Sequence, residues 1–281
     1  MMRLGLYQNC PEFGQVERNV QQAIHELSRV EVDLMVLPEL FSTGYQFASE
    51  QEVEALAEEI PAGETCRAMA SLARSKKMSV VFGLAERHGK RLYNSAVVIG
   101  PDGFVGKYRK THLFAEEKQL FDLGDSGFQV FDLGVARIGI MVCFDWWFPE
   151  SARVLALLGA DIICHPANLV LPNCQKAMAI RSLENGVFTV TANRVGTESR
   201  DGKTPLTFTG ESQITDNRGR VMAKMTADEV GTLVTEVDPE EARNKSISYS
   251  NDRFRDRRPE FYIPLVNSMP ESPGEEEGEM T

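Results

Sequence analysis

Cys143 stands where an apolar run, Val135-Ala136-Arg137-Ile138-Gly139-Ile140-Met141-Val142, gives way to Phe144-Asp145-Trp146-Trp147-Phe148-Pro149-Glu150. A thiol at the junction of a buried strand and a following helix can be held rigidly yet reached by substrate. The first N–H groups of that helix and the preceding turn assist a thiolate, whose ordinary pKa must fall or be bypassed by a base. Glu39 follows Asp33-Leu34-Met35-Val36-Leu37-Pro38 and has Leu37, Leu40 and Phe41 beside it. Desolvation by such neighbours raises a carboxyl pKa toward neutrality, as a base that later acts as an acid requires. Lys107-Tyr108-Arg109-Lys110-Thr111-His112 supplies an ammonium. Arg109 stays charged and is the poorer candidate for proton traffic. Lys107 and Lys110 lie an odd number of residues apart, so they face opposite sides of a strand, and periodicity does not choose between them. A carboxylate, an ammonium and a thiol, each ending a strand-like segment, read as one covalent-catalysis site.

The alternatives are plainer. A free cysteine often packs as a small buried hydrophobe. Cys164 is a rival nucleophile because His165 adjoins it, but neighbours on a strand point to opposite faces and form a poor pair. Cys10, Cys66 and Cys174 occupy helix or loop contexts without partners. The four histidines, His25, His88, His112 and His165, show no Cys-His protease spacing. No His/Asp/Glu cluster has metal-ligand spacing, so no metal is expected.

Composition narrows the class. The 281 residues can bury a proper core. A net charge of -11 argues against nucleic acid as a main partner. No apolar stretch approaches a membrane span, and the start turns polar at Gln8-Asn9, unlike a signal peptide. Five scattered cysteines without a C-x-x-C pair argue against a disulfide framework and for a reducing, cytoplasmic setting. Asp252-Arg253-Phe254-Arg255-Asp256-Arg257-Arg258 reads as a salt-bridged arm rather than a phosphate patch, because its charges interleave.

The elements that must position the site follow from periodicity. Strand-like runs cover 3–8, 34–37, 79–84, 92–99, 135–142, 162–165, 187–192, 210–215 and 231–237. Helical patterns cover 15–30, 64–76, 149–158 and 175–184, with Pro149 at a first turn and Asn185-Gly186 as a stop. Pro101-Asp102-Gly103 and Asp216-Asn217-Arg218-Gly219 are hairpin tips in a chain whose middle, 91–132, is hairpin-rich. Together these predict α/β layers around one mixed sheet or a pair. Val32-Asp33-Leu34-Met35-Val36-Leu37-Pro38 is echoed by Ala160-Asp161-Ile162-Ile163-Cys164-His165-Pro166, which suggests pseudo-symmetric halves. One domain spans 1–265. Residues 266–281, rich in Pro, Gly, Ser and Glu, are expected to be an acidic, disordered tail.

Three segments in order, Val36-Leu37-Pro38-Glu39-Leu40-Phe41, Gly106-Lys107-Tyr108-Arg109-Lys110-Thr111-His112-Leu113 and Gly139-Ile140-Met141-Val142-Cys143-Phe144-Asp145-Trp146-Trp147-Phe148-Pro149-Glu150, resemble the nitrilase superfamily of carbon–nitrogen hydrolases over about residues 3–262. The resemblance places the Glu-Lys-Cys triad on Glu39, Lys110 and Cys143 and selects Lys110 over Lys107. Glu117-Lys118-Gln119-Leu120-Phe121-Asp122-Leu123-Gly124-Asp125 matches the pattern of a second family glutamate and so selects Glu117 over Glu116. It implies a four-layer α-β-β-α sandwich that dimerises through helices into an eight-layered assembly, with the C-terminal arm on the partner. Glu39 would take the thiol proton, while Lys110 and the Phe144 N–H hold the oxyanion. Phe144, Tyr45, Trp146 and Asn168 make up the expected oxyanion and substrate-binding set. No cofactor is implied.

Phe144-Asp145 replaces the Trp-Glu that commonly follows the cysteine in nitrilases proper. Trp146 and Trp147 replace the arginines that hold a substrate carboxylate in D-amino-acid carbamoylases. The resulting expectation is an amidase that cleaves small, linear, neutral amides to acid and ammonia through a thioester. A nitrilase or an N-carbamoyl amide hydrolase with the same triad is the alternative.

Overall fold

The computed structural model describes residues 1–267. The expected disorder of the tail therefore lies, from residue 268 onward, outside the described residues. In chain order the first half holds β1 (Met2–Gln8), α1 (Val16–Ser28), β2 (Leu34–Val36), α2 (Glu50–Leu56), α3 (Glu64–Lys76), β3 (Ser79–His88), β4 (Arg91–Gly100) and β5 (Gly103–Arg109). Then come α4 (Glu117–Leu120), β6 (Val130–Asp132), β7 (Arg137–Ile140), α5 (Pro149–Leu157), β8 (Ile162–Pro166), α6 (Cys174–Asn185) and β9 (Phe188–Ala192). The last strands are β10 (Thr197–Glu198), β11 (Leu206–Thr207), β12 (Gln213–Thr215), β13 (Val221–Lys224) and β14 (Gly231–Val237).

β2, β8 and β9 are buried along their whole length, as strands covered on both faces must be, and their sequences run apolar without strict alternation. They are central in two mixed sheets of six strands, ordered β14-β1-β2-β3-β4-β5 and β6-β7-β8-β9-β12-β13. Direction repeats as well as order. β1-β2 and β2-β3 are parallel, as are β7-β8 and β8-β9, and every other pair in both sheets is antiparallel. The echoed segments thus carry β2 and β8, which hold equivalent third positions. The two sheets face each other through β1, β2 and β3 against β8 and β9, with α1 and α3 outside one and α5 and α6 outside the other. This is the α-β-β-α sandwich.

The outer layers form because one stripe of each helix is apolar. Val20, Ala23 and Leu27 of α1 and Met69, Leu72 and Ala73 of α3 close over Met35, Val80, Phe82 and Val97. Each large apolar side chain so buried contributes about 1.5–3 kcal/mol. No helix among the described residues is long and apolar enough to cross a membrane.

Several boundaries differ from expectation. The run 135–142 is a strand only over Arg137–Ile140, and the helix expected at Pro149 is preceded by a 3₁₀ turn, Cys143–Trp147. The cause is the Asp145 carboxylate, which takes the Val142 N–H at 2.8 Å and draws the chain out of the sheet. The run 210–215 shortens to Gln213–Thr215 because Gly210 and Glu211 both have positive φ. Helix α2 went unread although Ser49-Glu50-Gln51-Glu52 carries a capping signature: Ser49 accepts from the Glu52 N–H, and the Glu52 carboxylate accepts from the Ala48 N–H.

The chain divides into compact units at Asn244/Lys245. Within the second, Asp252 accepts the backbone N–H groups of Phe254 and Arg255, and Asp256 accepts the Asn251 side-chain amide and the Asp252 N–H. Those backbone bonds, with the Arg255 and Arg253 charges beside them, hold the Asp252 carboxyl below its usual range.

Candidate active site

β2 ends at Val36 and Pro38 prevents continuation, so Glu39 leaves the sheet at the C-terminal end of a central strand. Leu40 then adopts φ 48°, a turn that sends Glu39 inward. Its carboxyl is buried among Lys110, Asn94 and the turn itself. Oε1 accepts from Lys110 Nζ at 2.7 Å and Asn94 Nδ2 at 2.7 Å, while Oε2 is buried with no hydrogen-bond partner. Burial pushes this carboxyl up to about 7 against the opposing pull of Lys110. At neutral pH it exchanges protons readily.

The backbone of Glu39 lies against Gly83 of β3. A Cβ at Gly83 would sit 2.4 Å from Glu39 Cα and 2.6 Å from Leu40 N, and neither backbone atom can yield cheaply. Gly83→Ala is expected to displace Glu39 and lower kcat/KM about 10²-fold in an ammonia-release assay, since misplacement by an ångström has that effect. Undiminished activity would show that Glu39 needs no such close approach.

Lys110 follows β5 directly. Lys107 and Arg109 share one strand face and converge on Glu86, a fully buried carboxylate. Arg109 also reaches Asp125 at 2.8 Å and stacks on the Tyr93 ring. These bonds anchor the strand, and the chain beyond it turns Lys110 the other way. Its Nζ meets Glu39 at 2.7 Å and the two Glu117 oxygens at 2.8 and 2.7 Å. Burial works against the ammonium, but Glu117 and Glu39 outweigh it and hold its pKa above the usual lysine value. Gly124 keeps this segment tight, because a Cβ there would meet the Arg109 and Lys110 carbonyl oxygens at 2.3 and 2.5 Å.

Glu117, at the start of α4, also accepts the Tyr45 hydroxyl at 2.7 Å and the Phe114 N–H at 3.1 Å. Four donated bonds satisfy both oxygens, so Glu117 is a fixed anchor for Lys110. Glu116 is exposed and bonds Lys203. Burial and the Glu117 charge keep Tyr45 a neutral phenol.

Cys143 takes φ 41° at the head of its turn. Such backbone costs about 1–3 kcal/mol and persists only where neighbours enforce it. Two contacts do so. Asp145 Oδ2 holds the Val142 N–H and, at 2.9 Å, the Tyr108 hydroxyl, while Oδ1 bonds His112 Nδ1 at 2.7 Å. His165 Nε2 donates to the Cys143 carbonyl at 2.9 Å. Burial pushes His165 down to about 4, so the ring is neutral; Nε2 carries its proton, and Nδ1 accepts from the Thr191 hydroxyl. Leu40 and Ala115 share the positive φ, so three strained residues flank Glu39, Glu117 and the thiol.

Cys143 is 6% exposed, with Sγ 3.7 Å from the Asn168 carbonyl oxygen. Burial, then the Glu39 charge, drive its pKa well above the ordinary value, and Lys110 opposes them. A thiol so disfavoured as an anion needs a base to take its proton. Asn168 also donates Nδ2 to the Glu39 carbonyl at 2.9 Å, tying the Glu39 turn to the loop after β8, while its Oδ1 is buried without a hydrogen-bond partner. Trp146 is buried and lines the cleft at Cys143 with Phe144 and Asn168, whereas Trp147 is half exposed. Cys164 is buried with its thiol pushed up by burial alone, and no metal-binding group of three is present among the described residues.

Sequence reasoning missed Asn94, Asp145, His165 and Gly83. Asn94-Ser95 was a visible signal, two polar residues inside the apolar run 92–99. His165 was weighed only as a partner for Cys164; its true contact is 22 residues away.

Paired, helix-covered sheets that gather a thiol, an ammonium and carboxyls at their strand ends are the arrangement of a hydrolase with an active-site cysteine. The chain belongs to the carbon–nitrogen hydrolase family, whose model matches residues 3–245. It is 50% identical to a nitrilase of Pyrococcus abyssi over 94% of this chain and 100% of that one. It is 33% identical to an (R)-stereoselective amidase of a Pseudomonas species, covering 90% and 91% of the two chains. Among solved structures, a carbon–nitrogen hydrolase from Helicobacter pylori superposes with a TM-score of 0.87 at 27% identity, over 95% of this chain and 98% of that one.

Proposed function

We propose that this chain hydrolyses small uncharged nitriles to carboxylic acid and ammonia, with Cys143 as nucleophile, Glu39 as proton carrier and Lys110 as electrophilic support. The reading is carried by one observation: a buried carboxyl near neutral pKa, with one oxygen unpartnered, in the same cluster as a thiol that cannot ionise alone. The preference for nitriles over the amides expected from Phe144-Asp145 rests on the full-length similarity to the Pyrococcus nitrilase. Those two positions are local, whereas half of all aligned residues agree with the nitrilase.

Glu39 takes the Sγ proton as sulfur adds to the nitrile carbon, and that proton passes to the nitrile nitrogen to give a thioimidate. Water, deprotonated by Glu39, adds to the same carbon; Glu39 returns that proton to nitrogen and relays the proton of the new hydroxyl there as well. The C–N bond breaks, ammonia leaves and a thioester remains. A second water, again through Glu39, releases the acid and restores the thiol. Lys110 and the Phe144 N–H stabilise negative charge as each adduct forms; one such donor contributes about 3 kcal/mol. Glu117 positions Lys110.

Primary amides reach the same thioester through a single tetrahedral adduct that expels ammonia protonated by Glu39, and similarity to the Pseudomonas amidase supports that second reading. Ammonia and acid release from matched nitriles, amides and N-carbamoyl compounds tests both. Nitrile turnover to acid is expected. Turnover of amides with inert nitriles would reverse the preference. Absence of any turnover, with no adduct on Cys143, would overturn the functional reading.

The proposal extends to a homodimer. Val154 and Leu157 of α5, Leu158 just after it and Ile180 and Leu183 of α6 are all exposed, an apolar outer layer suited to a second copy.

A further inference from the structure

The space at the nucleophile is too small for the proposed substrates. The cleft beside Cys143, walled by Phe114, Phe144, Trp146 and Asn168, has a volume of about 20 Å³, room for about one water molecule. A much larger cavity, about 400 Å³, has Tyr45 and Glu117, two members of the Lys110 cluster, in its wall. Its remaining lining is chiefly apolar, from Phe47, Leu120, Phe121 and Leu206, and Lys203 borders it with its ammonium bonded to Glu116 and to the Phe47 carbonyl oxygen. That size and lining suit an organic ligand rather than solvent.

Phe114 is the one residue common to both linings. Its backbone is pinned: its N–H bonds Glu117, and Ala115 beyond it holds φ 45°. Its ring leans on Phe144, with centroids 5.1 Å apart. The backbone therefore cannot open a passage between the two spaces, but rotation or truncation of the Phe114 ring can.

We infer that the Phe114 ring is the partition that sets acyl-group size, and that the cavity behind it receives the apolar side chain of an arylalkyl or medium-chain alkyl substrate. This rests on the proposed function and names its substrate class. The cavity wall carries Glu117 and Tyr45, so a substrate lodged there lies against the cluster that holds Lys110. The apolar lining favours uncharged chains over acids, because a carboxylate there would face Glu117 and lose its hydration.

The test is steady-state kinetics of the full chain on a homologous series, from propionitrile and propionamide to phenylacetonitrile and phenylacetamide. Phe114→Ala, Phe114→Leu and the cavity-filling Leu206→Trp are compared with wild type, and circular dichroism checks each fold. Phe114→Ala is expected to raise the kcat/KM ratio of phenylacetyl to propionyl substrates about tenfold or more, with Phe114→Leu between. Leu206→Trp is expected to lower that ratio about tenfold by filling the far end. An active wild type whose ratio is unmoved by any folded variant would overturn the partition alone. A wild type inert toward the whole series would overturn the functional reading first. Leu206→Trp keeps the cavity testable if Phe114→Ala does not fold.

Discussion

Glu39→Gln is expected to lower turnover by about 10²–10⁴-fold while making the protein more stable above neutral pH. The first effect follows from removing the only group in the cluster able to take and return a proton near pH 7. The amide keeps the size of the side chain and can still accept from Lys110 and Asn94, so geometry is conserved. Wild-type kcat/KM should rise with pH through about 7 as Glu39 ionises, and the variant should lack that rise. The second effect follows from linkage. Burial raises the folded-state pKa above the unfolded value, so the folded chain binds the proton more tightly. Stability from this group is fully present below about 4.5 and is lost as pH rises through about 7. A glutamine carries no such loss, so urea midpoints of variant and wild type should diverge above pH 7 and converge in acid. Cys143→Ala should match the kinetic loss and also abolish acyl-enzyme in a mass spectrum. If Glu39→Gln kept wild-type turnover, or Cys143→Ala kept any, the assignment of base and nucleophile would be lost.

Lys110→Met should be inactive and destabilised by about 3–5 kcal/mol, the usual effect of stranding a buried countercharge. The ammonium is the shared partner of Glu39 and Glu117, and both carboxyls are almost wholly enclosed. Methionine fills much of the lysine volume, so loss of packing contributes little. The deficit should shrink as the pH falls and the Glu39 carboxyl takes up its proton, which urea unfolding at several pH values would register. A pH-independent deficit would point to packing instead. Lys107→Met, by contrast, removes one of two cations on Glu86 and leaves Arg109 in place. It should retain most of the activity.

Much of the scaffold was legible because its signals are local. The 64–76 helix matches α3 residue for residue, and Asn185-Gly186 does end α6, with Gly186 at φ 58°. The echo between 32–38 and 160–166 correctly pointed to equivalent halves. Lengths erred where a side chain intervened, as Asp145 does after Ile140. The choice between one sheet and two was beyond periodicity, because β2, β8 and β9 are buried on both faces and their residues do not say what covers them.

The residue types and strand-end positions of Glu39, Lys110 and Cys143 were determined by the sequence itself, since apolar runs, breakers and a period of two act over a few residues. Their union was not. Glu39 and Lys110 meet across 71 residues of chain, Glu39 and Asn94 across 55, and Asn168 closes the base loop from 129 residues away. Only tertiary packing decides such contacts, because they exist where two sheets close face to face. The same closure removes the water that would otherwise keep the Glu39 carboxyl acidic and the Cys143 thiol easier to ionise. The sequence thus determined which groups are present at the strand ends, and the fold decided their protonation.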